Sequence, residues 1–437
     1  MKIARLYIHN FRGFESKEFQ LNPHFTVAIG NNGLGKSTLL RAVQVSLGAF
    51  LQSVPTLPAN ASYRRQFKND ERLIKFHPER RDFLPNKDNP LIVTYATWQK
   101  GDKVNDIKWK REYLRSNSTT HKREDSAQII SYANELFDNH GSDQEMLYPI
   151  MANFQINRTN AQVKKVDKSW KKMSKLAKGY YAALGENVDF TGVYEWLHSY
   201  DNCIKDGSEF TGTKEAMFQS IKVAIPYIKE IEYNSRYEEF EVLVNFRETP
   251  QRMLASYLSD GMKAMLYTVA EIAYRCIMLN GKLGLEAVEK SPGVVMIDEI
   301  DMHLHPIWQR HVINDLKLAF PGIQFVVTTH SPLIVQSIKN AELINLDTLE
   351  GLPEDPDKFS LEEVTEQEMG VEHVERSTEF LRMQKEAALF FELIKNGASP
   401  NDIEKAKVHL DRLRIKYNNN PAYVALLEAE LPKSPVV

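Results

Sequence analysis

Cysteine is nearly absent from this chain. Cys203 and Cys276 are the only two in 437 residues and lie far apart, so neither a disulfide framework nor a C-x-x-C zinc site is available. No apolar run approaches the roughly eighteen residues that a membrane-spanning helix needs. The first residues, Met1-Lys2-Ile3-Ala4-Arg5, enter a strand-like alternation without the apolar core of a signal peptide. No internal repeat or low-complexity tract stands out. These absences make a cytoplasmic protein with no membrane partner the expectation. The net charge of −3 has no strong bias of sign, and 43% hydrophobic with 26% charged residues is ordinary for a globular protein. The length allows one large domain or two coupled ones.

Against that background one segment carries specific chemistry. Gly30-Asn31-Asn32-Gly33-Leu34-Gly35-Lys36-Ser37-Thr38 fits G-x-x-x-x-G-K-S. The apolar run Phe25–Ile29 before it reads as a buried strand, and Leu39, Leu40, Val43 and Leu47 after it fall at helical spacing. Strand, glycine loop and helix form the context of a phosphate-cradling loop. Its glycines let backbone N–H groups of Asn31, Asn32, Gly33, Gly35 and Thr38 turn toward phosphate, aided by the helix dipole. Lys36 is placed to reach the β- and γ-phosphates of ATP, and Ser37 to hold Mg²⁺.

Four further segments follow in order. Val294-Val295-Met296-Ile297-Asp298-Glu299 is an apolar strand ending in two carboxylates, which are costly there without a metal or similar partner. Asp298 is expected to hold Mg²⁺ and Glu299 to orient or deprotonate water. Ser259-Asp260-Gly261 opens a helical pattern. Asp301 lies in Glu299-Ile300-Asp301-Met302-His303-Leu304-His305-Pro306, and His330 follows the apolar run 324–327 in Thr328-Thr329-His330-Ser331-Pro332. His303 and His305 invite a metal reading, but the string as a whole points elsewhere. Two weaker candidates are Arg12, in Asn10-Phe11-Arg12-Gly13-Phe14, and Gln155, after Ile150-Met151-Ala152-Asn153-Phe154.

These motifs resemble the RecF/OLD-like branch of ABC-type ATPases over roughly residues 1–350. The resemblance implies an α/β fold: an ABC-type P-loop ATPase head with an antiparallel β subdomain, a helical insertion and a short helical C-terminal extension. It makes Ser259-Asp260-Gly261 a variant of the L-S-G-G signature, which caps the γ-phosphate of ATP on an opposite subunit. Asp301 then lies in a D-loop near the dimer seam, His330 matches the switch histidine, Arg12 lies near the nucleotide and Gln155 is the candidate Q-loop glutamine that links Mg²⁺ to the helical region. Residues 298–309 with 323–332 are more closely similar to the ATPase family of Septu-type antiphage systems, PtuA, which also occurs in some retrons. That likeness implies an HNH nuclease partner of the PtuB type, self-association into a dimer or higher oligomer, and contact with nucleic acid or with a retron reverse transcriptase and its msDNA. A RecF-like repair ATPase acting on DNA ends or gaps is the alternative. An OLD-type nuclease is excluded by the lack of a Toprim pattern after His330, and SMC or zinc-hook proteins by the lack of long heptad stretches.

The remaining expectations concern layout. Residues 1–51 read as strand, turn, strand, phosphate loop and helix. Residues 52–90 read as an irregular polar insertion. Residues 91–98 and 106–114 read as antiparallel strands, 160–225 as mainly helical within an insertion spanning about 160–250, 232–246 as a strand pair, 253–279 as a long helix, and 294–297 with 324–327 as central parallel strands. Eight basic residues against one acid between 158 and 178 fit either nucleic-acid contact or a solvated helix face. The acid-rich 351–377 reads as a linker. Residues 378–437 read as helices for partner docking or dimerisation, with Phe380, Leu381, Leu389, Phe390, Phe391 and Ile394 as their apolar face. With only one acidic pair in evidence, Asp298 and Glu299, the chain is expected to be an ATPase and not itself a nuclease.

Overall fold

A computed structural model of the chain describes residues 1–55, 57, 65–86, 88–101, 103–113, 124–138, 146–156, 170, 172–185, 190–245, 249–347 and 352–371, with scattered positions from 385 to 408. It divides into two compact units, Met1–Met369 and Gly370–Val437. In the second unit Leu389 and Val408 are exposed. Phe380, Leu381, Phe390, Phe391 and Ile394 lie outside the described residues, as do Arg158, Lys164, Lys165, Lys168 and Lys171 of the basic run.

The strands in chain order are β1 (Lys2–Phe11), β2 (Phe14–Gln20), β3 (Phe25–Ile29), β4 (Ile74–His77), β5 (Asp82–Pro85), β6 (Leu91–Lys100), β7 (Lys103–Glu112), β8 (Ile150–Phe154), β9 (Ile228–Asn234), β10 (Glu239–Val244), β11 (Gln251–Leu254), β12 (Gly293–Ile297), β13 (Ile323–Thr328) and β14 (Leu343–Asn345). The central sheet has the order β14-β3-β13-β12-β8, and every neighbouring pair is parallel. β3, β13 and β12 in its interior and β8 at its edge are buried at every residue. That explains why they read as unbroken apolar runs rather than alternating ones.

A second sheet, β2-β1-β6-β7, is antiparallel throughout. Its inward residues, such as Leu6, Ile8, Ile92 and Trp109, alternate with solvent-facing ones, as a one-sided sheet requires. The helix Lys36–Leu51 is buried along most of its length. The Trp109 indole donates to the Ser46 carbonyl at 3.0 Å and Arg111 donates to the Val45 carbonyl at 2.7 Å. Buried Gln324 closes the seam between the sheets: it accepts from the Ile3 N–H at 2.7 Å and donates to the carbonyls of Ile3 and Asn22 at 2.7 and 2.8 Å. A buried amide satisfied on both sides fixes register, because leaving it unpaired would cost about 1–3 kcal/mol.

Several elements differ from the sequence reading. The expected irregular insertion 52–90 contains the hairpin β4-β5. The strand pair after residue 228 is a three-stranded meander, β11-β10-β9. Met253 belongs to β11 and the long helix starts later, at Asp260, running to Asn280. The acidic stretch expected as a linker instead contains a helix, Leu361–Gln367, in the first unit. Ser360 and Glu363 form a capping box there, and Val364 is fully buried. Its acids sit in the first turn, where the helix dipole favours them.

Candidate nucleotide site

The parallel register gathers the site. β3, β13, β12 and β8 end at Ile29, Thr328, Ile297 and Phe154, and the next residues along are Gly30, Thr329, Asp298 and Gln155. Phe154 pairs with Ile297, and the Asp298 N–H donates to the Phe154 carbonyl at 2.8 Å. Gln155 is therefore one residue past a shared register with Asp298, despite the long stretch of chain between them. Carboxyl ends of parallel strands are where ligands bind in open α/β sheets.

Gly30, Gly33 and Gly35 have φ of 143°, 90° and 103°, the left-handed region that glycine enters without strain. A Cβ on Gly35 would meet the Phe14 ring at 2.6 Å, so that ring forms the floor of the loop. The Lys36 ammonium donates to the carbonyls of Gly30 at 2.6 Å and Asn31 at 3.3 Å. Burial lowers its pKa, against the opposing pull of Glu299, Asp298, Asp347 and Asp301. The Ser37 hydroxyl donates to the Asp298 carboxylate at 3.0 and 3.2 Å.

Thr328 ties the Asp298 carboxylate to the Glu299 backbone. Its hydroxyl donates to Asp298 at 2.6 Å and accepts from the Glu299 N–H at 2.8 Å. Glu299 has φ 49°, an uncommon conformation for a residue with a side chain and one that clusters at functional sites. Asp301 accepts from the Thr329 hydroxyl at 2.5 Å and from the His330 N–H at 3.4 Å. Asp347, after β14, accepts from the Asn31 N–H at 2.9 Å and from its side-chain amide at 3.2 Å.

A cavity of about 490 Å³ lies over this array, lined by Asn32, Gly33, Gly35, Lys36, Ser37, Thr38, Glu299 and His330, together with Arg12 and Gly13. Asn10 and Arg12 both have positive φ, 49° and 50°, so the turn after β1 is held out of ordinary geometry where it meets the cavity. Asp70, Arg72 and Ile74 also line the cavity, and the sequence reading missed them. Arg12 and Asp70 approach at 3.9 Å. No motif marks these three; the clue was only that a basic, polar insertion follows directly on the phosphate-loop helix.

Ser259, Asp260 and Gly261 do not line this cavity. Ser259 caps the helix Asp260–Asn280 with no side-chain hydrogen bond of its own, and both Ser259 and Asp260 are exposed. Gly261 is buried against the loop after β12, where an added Cβ would fall 2.2 Å from the His303 carbonyl oxygen. Gln309 donates to the Leu304 carbonyl of that loop at 2.9 Å and accepts from Ser331 at 2.7 Å. The helix start thus connects through packed backbone to the residue beside His330.

ATP and Mg²⁺, which a P-loop of this kind implies, fit the residues present. Among the described residues no group of three or more His, Cys, Asp or Glu is placed to hold a metal ion. Ser37 and Asp298 offer one hydroxyl and one carboxylate, the donors that a hard cation shared with substrate phosphates takes.

A family model described as "AAA domain" matches residues 5–239, over half of the chain. A second, described as "AAA domain, putative AbiEii toxin, Type IV TA system", matches residues 219–336. Among curated proteins the chain is 24% identical over 407 residues to "Retron Vc95 probable ATPase" of Vibrio cholerae serotype O1 biovar El Tor, covering 80% of this chain and 74% of that protein. It is 24% identical over 401 residues to "Retron Ec83 probable ATPase" of Escherichia coli, covering 78% and 71%. It is 34% identical over 148 residues to "Septu protein PtuA" of Bacillus thuringiensis, covering 28% and 35%. Among solved structures it is similar to an SMC head bound to the C-winged helix domain of ScpA, at 16% identity and a TM-score of 0.44, covering 76% of this chain and 91% of that one. No helix among the described residues is long and apolar enough to cross a membrane. With a glycine loop and paired carboxylates at the ends of a parallel sheet, and with an AAA-domain family model matching over half its length, the chain belongs to the AAA-domain family of ATPases.

Proposed function

We propose that this chain is the ATP-binding and ATP-hydrolysing subunit of a cytoplasmic antiphage defence complex, that two copies close around ATP in the ABC manner, and that the closed state controls a separate HNH nuclease. One observation carries the hydrolytic part: Lys36, Ser37, Glu299 and His330 line one cavity, with Asp298 on the Ser37 hydroxyl. Lys36 and the loop N–H groups hold the phosphates. Ser37 and Asp298, with Gln155 at the end of the strand paired beside Asp298, would hold Mg²⁺, which would supply charge neutralisation at the transferring phosphoryl group. Glu299, with its backbone fixed by Thr328, orients and deprotonates the attacking water. His330, exposed at the cavity, donates to the γ-phosphate. Arg12 reaches the same nucleotide from the other wall.

The pairing of copies rests on Ser259 and Asp260, which are exposed and outside the cavity of their own chain. Two residues before Ser259, Tyr257 is 77% exposed, next to a hydroxyl and a helix N-terminus that suit a phosphate. Asp301 is placed to report on the seam through Thr329 and His330. The retron and Septu relatives support the defence setting, and the nuclease partner follows from that setting. A RecF-like repair role is the second reading, favoured by a 43-residue match, 44% identical, to "DNA replication and repair protein RecF" of Actinobacillus pleuropneumoniae, which covers 10% of this chain. Phosphate release and mass by light scattering, measured with ATP on the pure chain, test the core of this reading. ATP-dependent dimers that hydrolyse ATP and leave DNA and RNA uncut are expected. Hydrolysis by a strict monomer, or metal-dependent cleavage by the chain alone, would overturn it.

A further inference from the structure

The turn that carries Arg12 is held in place by a second segment of the chain. Asn10 and Arg12 have φ of 49° and 50°, a conformation that persists only where the surroundings over-determine it. Those surroundings are residues 69–73. The Arg12 N–H donates to the Glu71 carbonyl at 2.9 Å, and the Leu73 N–H donates to the Asn10 carbonyl at 3.1 Å. Between these bonds Phe11 and Arg72 form an antiparallel bridge. The same segment contributes Asp70 and Arg72 to the lining of the nucleotide cavity, alongside Arg12.

That segment is short, a single turn of 3-10 helix at Asn69–Glu71, and buried charge fixes it. The Glu71 side chain is fully buried and that of Arg65 is 6% exposed. The Glu71 carboxylate accepts from two nitrogens of the Arg65 guanidinium, one of them at 3.2 Å, and from the Lys68 N–H at 2.8 Å. The Arg65 Nε donates to the Gln44 side chain at 3.3 Å. Gln44 lies in the buried helix that begins at Lys36, and it donates in turn to Asn153 at 2.9 Å. The Arg65 carbonyl accepts from buried Arg111 at 3.1 Å, so backbone and side chain are both pinned. A two-pronged arginine–carboxylate pair fixes direction as well as distance. Such a pair adds little stability when buried, since apolar residues of similar volume often serve as well. Its geometry is what apolar residues cannot supply.

We propose that Arg65 and Glu71 are positioning residues of the nucleotide site, a role that rests on the ATP reading of that cavity. Their buried pair ties the Arg12 turn, with Asp70 and Arg72, to the phosphate-loop helix through Gln44. Neither residue lines the cavity, so neither touches the nucleotide. With the pair intact, Arg12 is already ordered when ATP arrives, and groups ordered in advance lose less on binding. Without it the turn relaxes and ATP binds more weakly. Lys36, Ser37, Asp298 and Glu299 keep their own hydrogen bonds and still carry hydrolysis once ATP saturates the site.

The test measures, on the full chain, the Kd for mant-ATP by fluorescence, kcat by phosphate release, and Tm. Glu71→Gln should raise the Kd about tenfold, the worth of one to two hydrogen bonds, and lower kcat at saturating ATP by no more than about twofold. Arg65→Lys keeps the charge without the fork and should show the same split. Arg65→Met combined with Glu71→Leu leaves no lone buried charge, so it stays folded even where a single variant does not. It should keep a Tm near that of wild type with the raised Kd. Arg12→Ala should raise the Kd by as much, and adding Glu71→Gln to it should add little, as expected for residues acting through one another. A merely structural pair would instead lower Tm, and lower kcat with the folded fraction, while the Kd stayed fixed. That result would overturn the proposal, as would a wild-type Kd in the apolar double variant. A wild-type chain that binds no mant-ATP would overturn the nucleotide reading itself, and this role with it.

Discussion

The carboxyl ends of the parallel strands and the amino end of the helix Asp260–Asn280 are built to different standards of completeness. At the strand ends hydrogen bonds tie the key side chains together: Lys36 on two carbonyls, Ser37 on Asp298, Thr328 on both carboxylate residues, and Asp347 on Asn31. At the helix start Ser259 has no cap hydrogen bond, and Ser259 and Asp260 face solvent. One region is preorganised within a chain. The other has a rigid backbone, seated on His303, and exposed side chains: Ser259 makes no cap hydrogen bond and Asp260 pairs with Lys263 at 3.1 Å. Preorganised donors are worth most where charge develops, so the first region suits the chemistry. The second is rigid yet leaves the Ser259 hydroxyl exposed and uncapped, as half of a site awaiting its complement would.

If that contrast is right, the largest effect comes from breaking the preorganised end. Glu299→Gln should retain ATP and slow single-turnover hydrolysis by about 10²–10⁴-fold, the usual cost of a positioned base. Near-normal turnover would remove Glu299 from that role. Gly261→Ala attacks the rigid seat at the other end. With an added Cβ 2.2 Å from backbone, overpacking should cost about 1–3 kcal/mol in chemical denaturation. A wild-type midpoint would mean that the helix start is loosely placed. Thr328→Val sharpens the comparison, because it removes one hydroxyl shared by Asp298 and Glu299 and nothing at Ser259. Hydrolysis should fall about tenfold, the worth of one to two hydrogen bonds, with mixing behaviour between copies unchanged.

The smallest expected effect is the contribution of Lys36 to stability. Burial lowers its pKa below the usual 10.5. The unfolded chain therefore holds that proton more tightly, and stability rises with pH between the folded pKa and the unfolded one. Below that window the charged lysine is a cost to the free protein. Lys36→Met should accordingly abolish nucleotide binding without lowering Tm at neutral pH, and the small rise in stability toward alkaline pH should shrink. A clear fall in Tm would show the lysine to be a structural cation instead.

Much of this arrangement was legible in the sequence for a physical reason. Phosphate loops and buried parallel strands are local patterns: glycines at fixed offsets, then apolar runs with no polar side. Phe25–Ile29, Gly293–Ile297 and Ile323–Thr328 announce themselves. What was not legible depends on distant pairing. Asp347 meets Asn31 only because β14 lies parallel to β3, and a three-residue strand gives almost no periodic signal. The hairpin β4-β5 has strands of four residues bearing Lys, His and Asp, with Phe76 and Phe83 exposed. Binary patterning therefore read it as coil and missed Asp70, Arg72 and Ile74 just before and within it. The helix at Leu361–Gln367 had a readable mark, Ser360 three residues ahead of Glu363, which the density of acids obscured.

The central claim is that a complete site takes its phosphate loop from one copy and Ser259 from another. It is tested most directly by mixing two inactive chains, Lys36→Ala and Ser259→Arg, and measuring phosphate release from ATP. In a mixed dimer one site pairs the intact loop of one copy with the intact helix start of the other. The account predicts recovery toward about a quarter of the wild-type rate, as expected for random pairing about a two-fold axis. A mixture no more active than its parts, or a Ser259→Arg chain as active as wild type by itself, would contradict it.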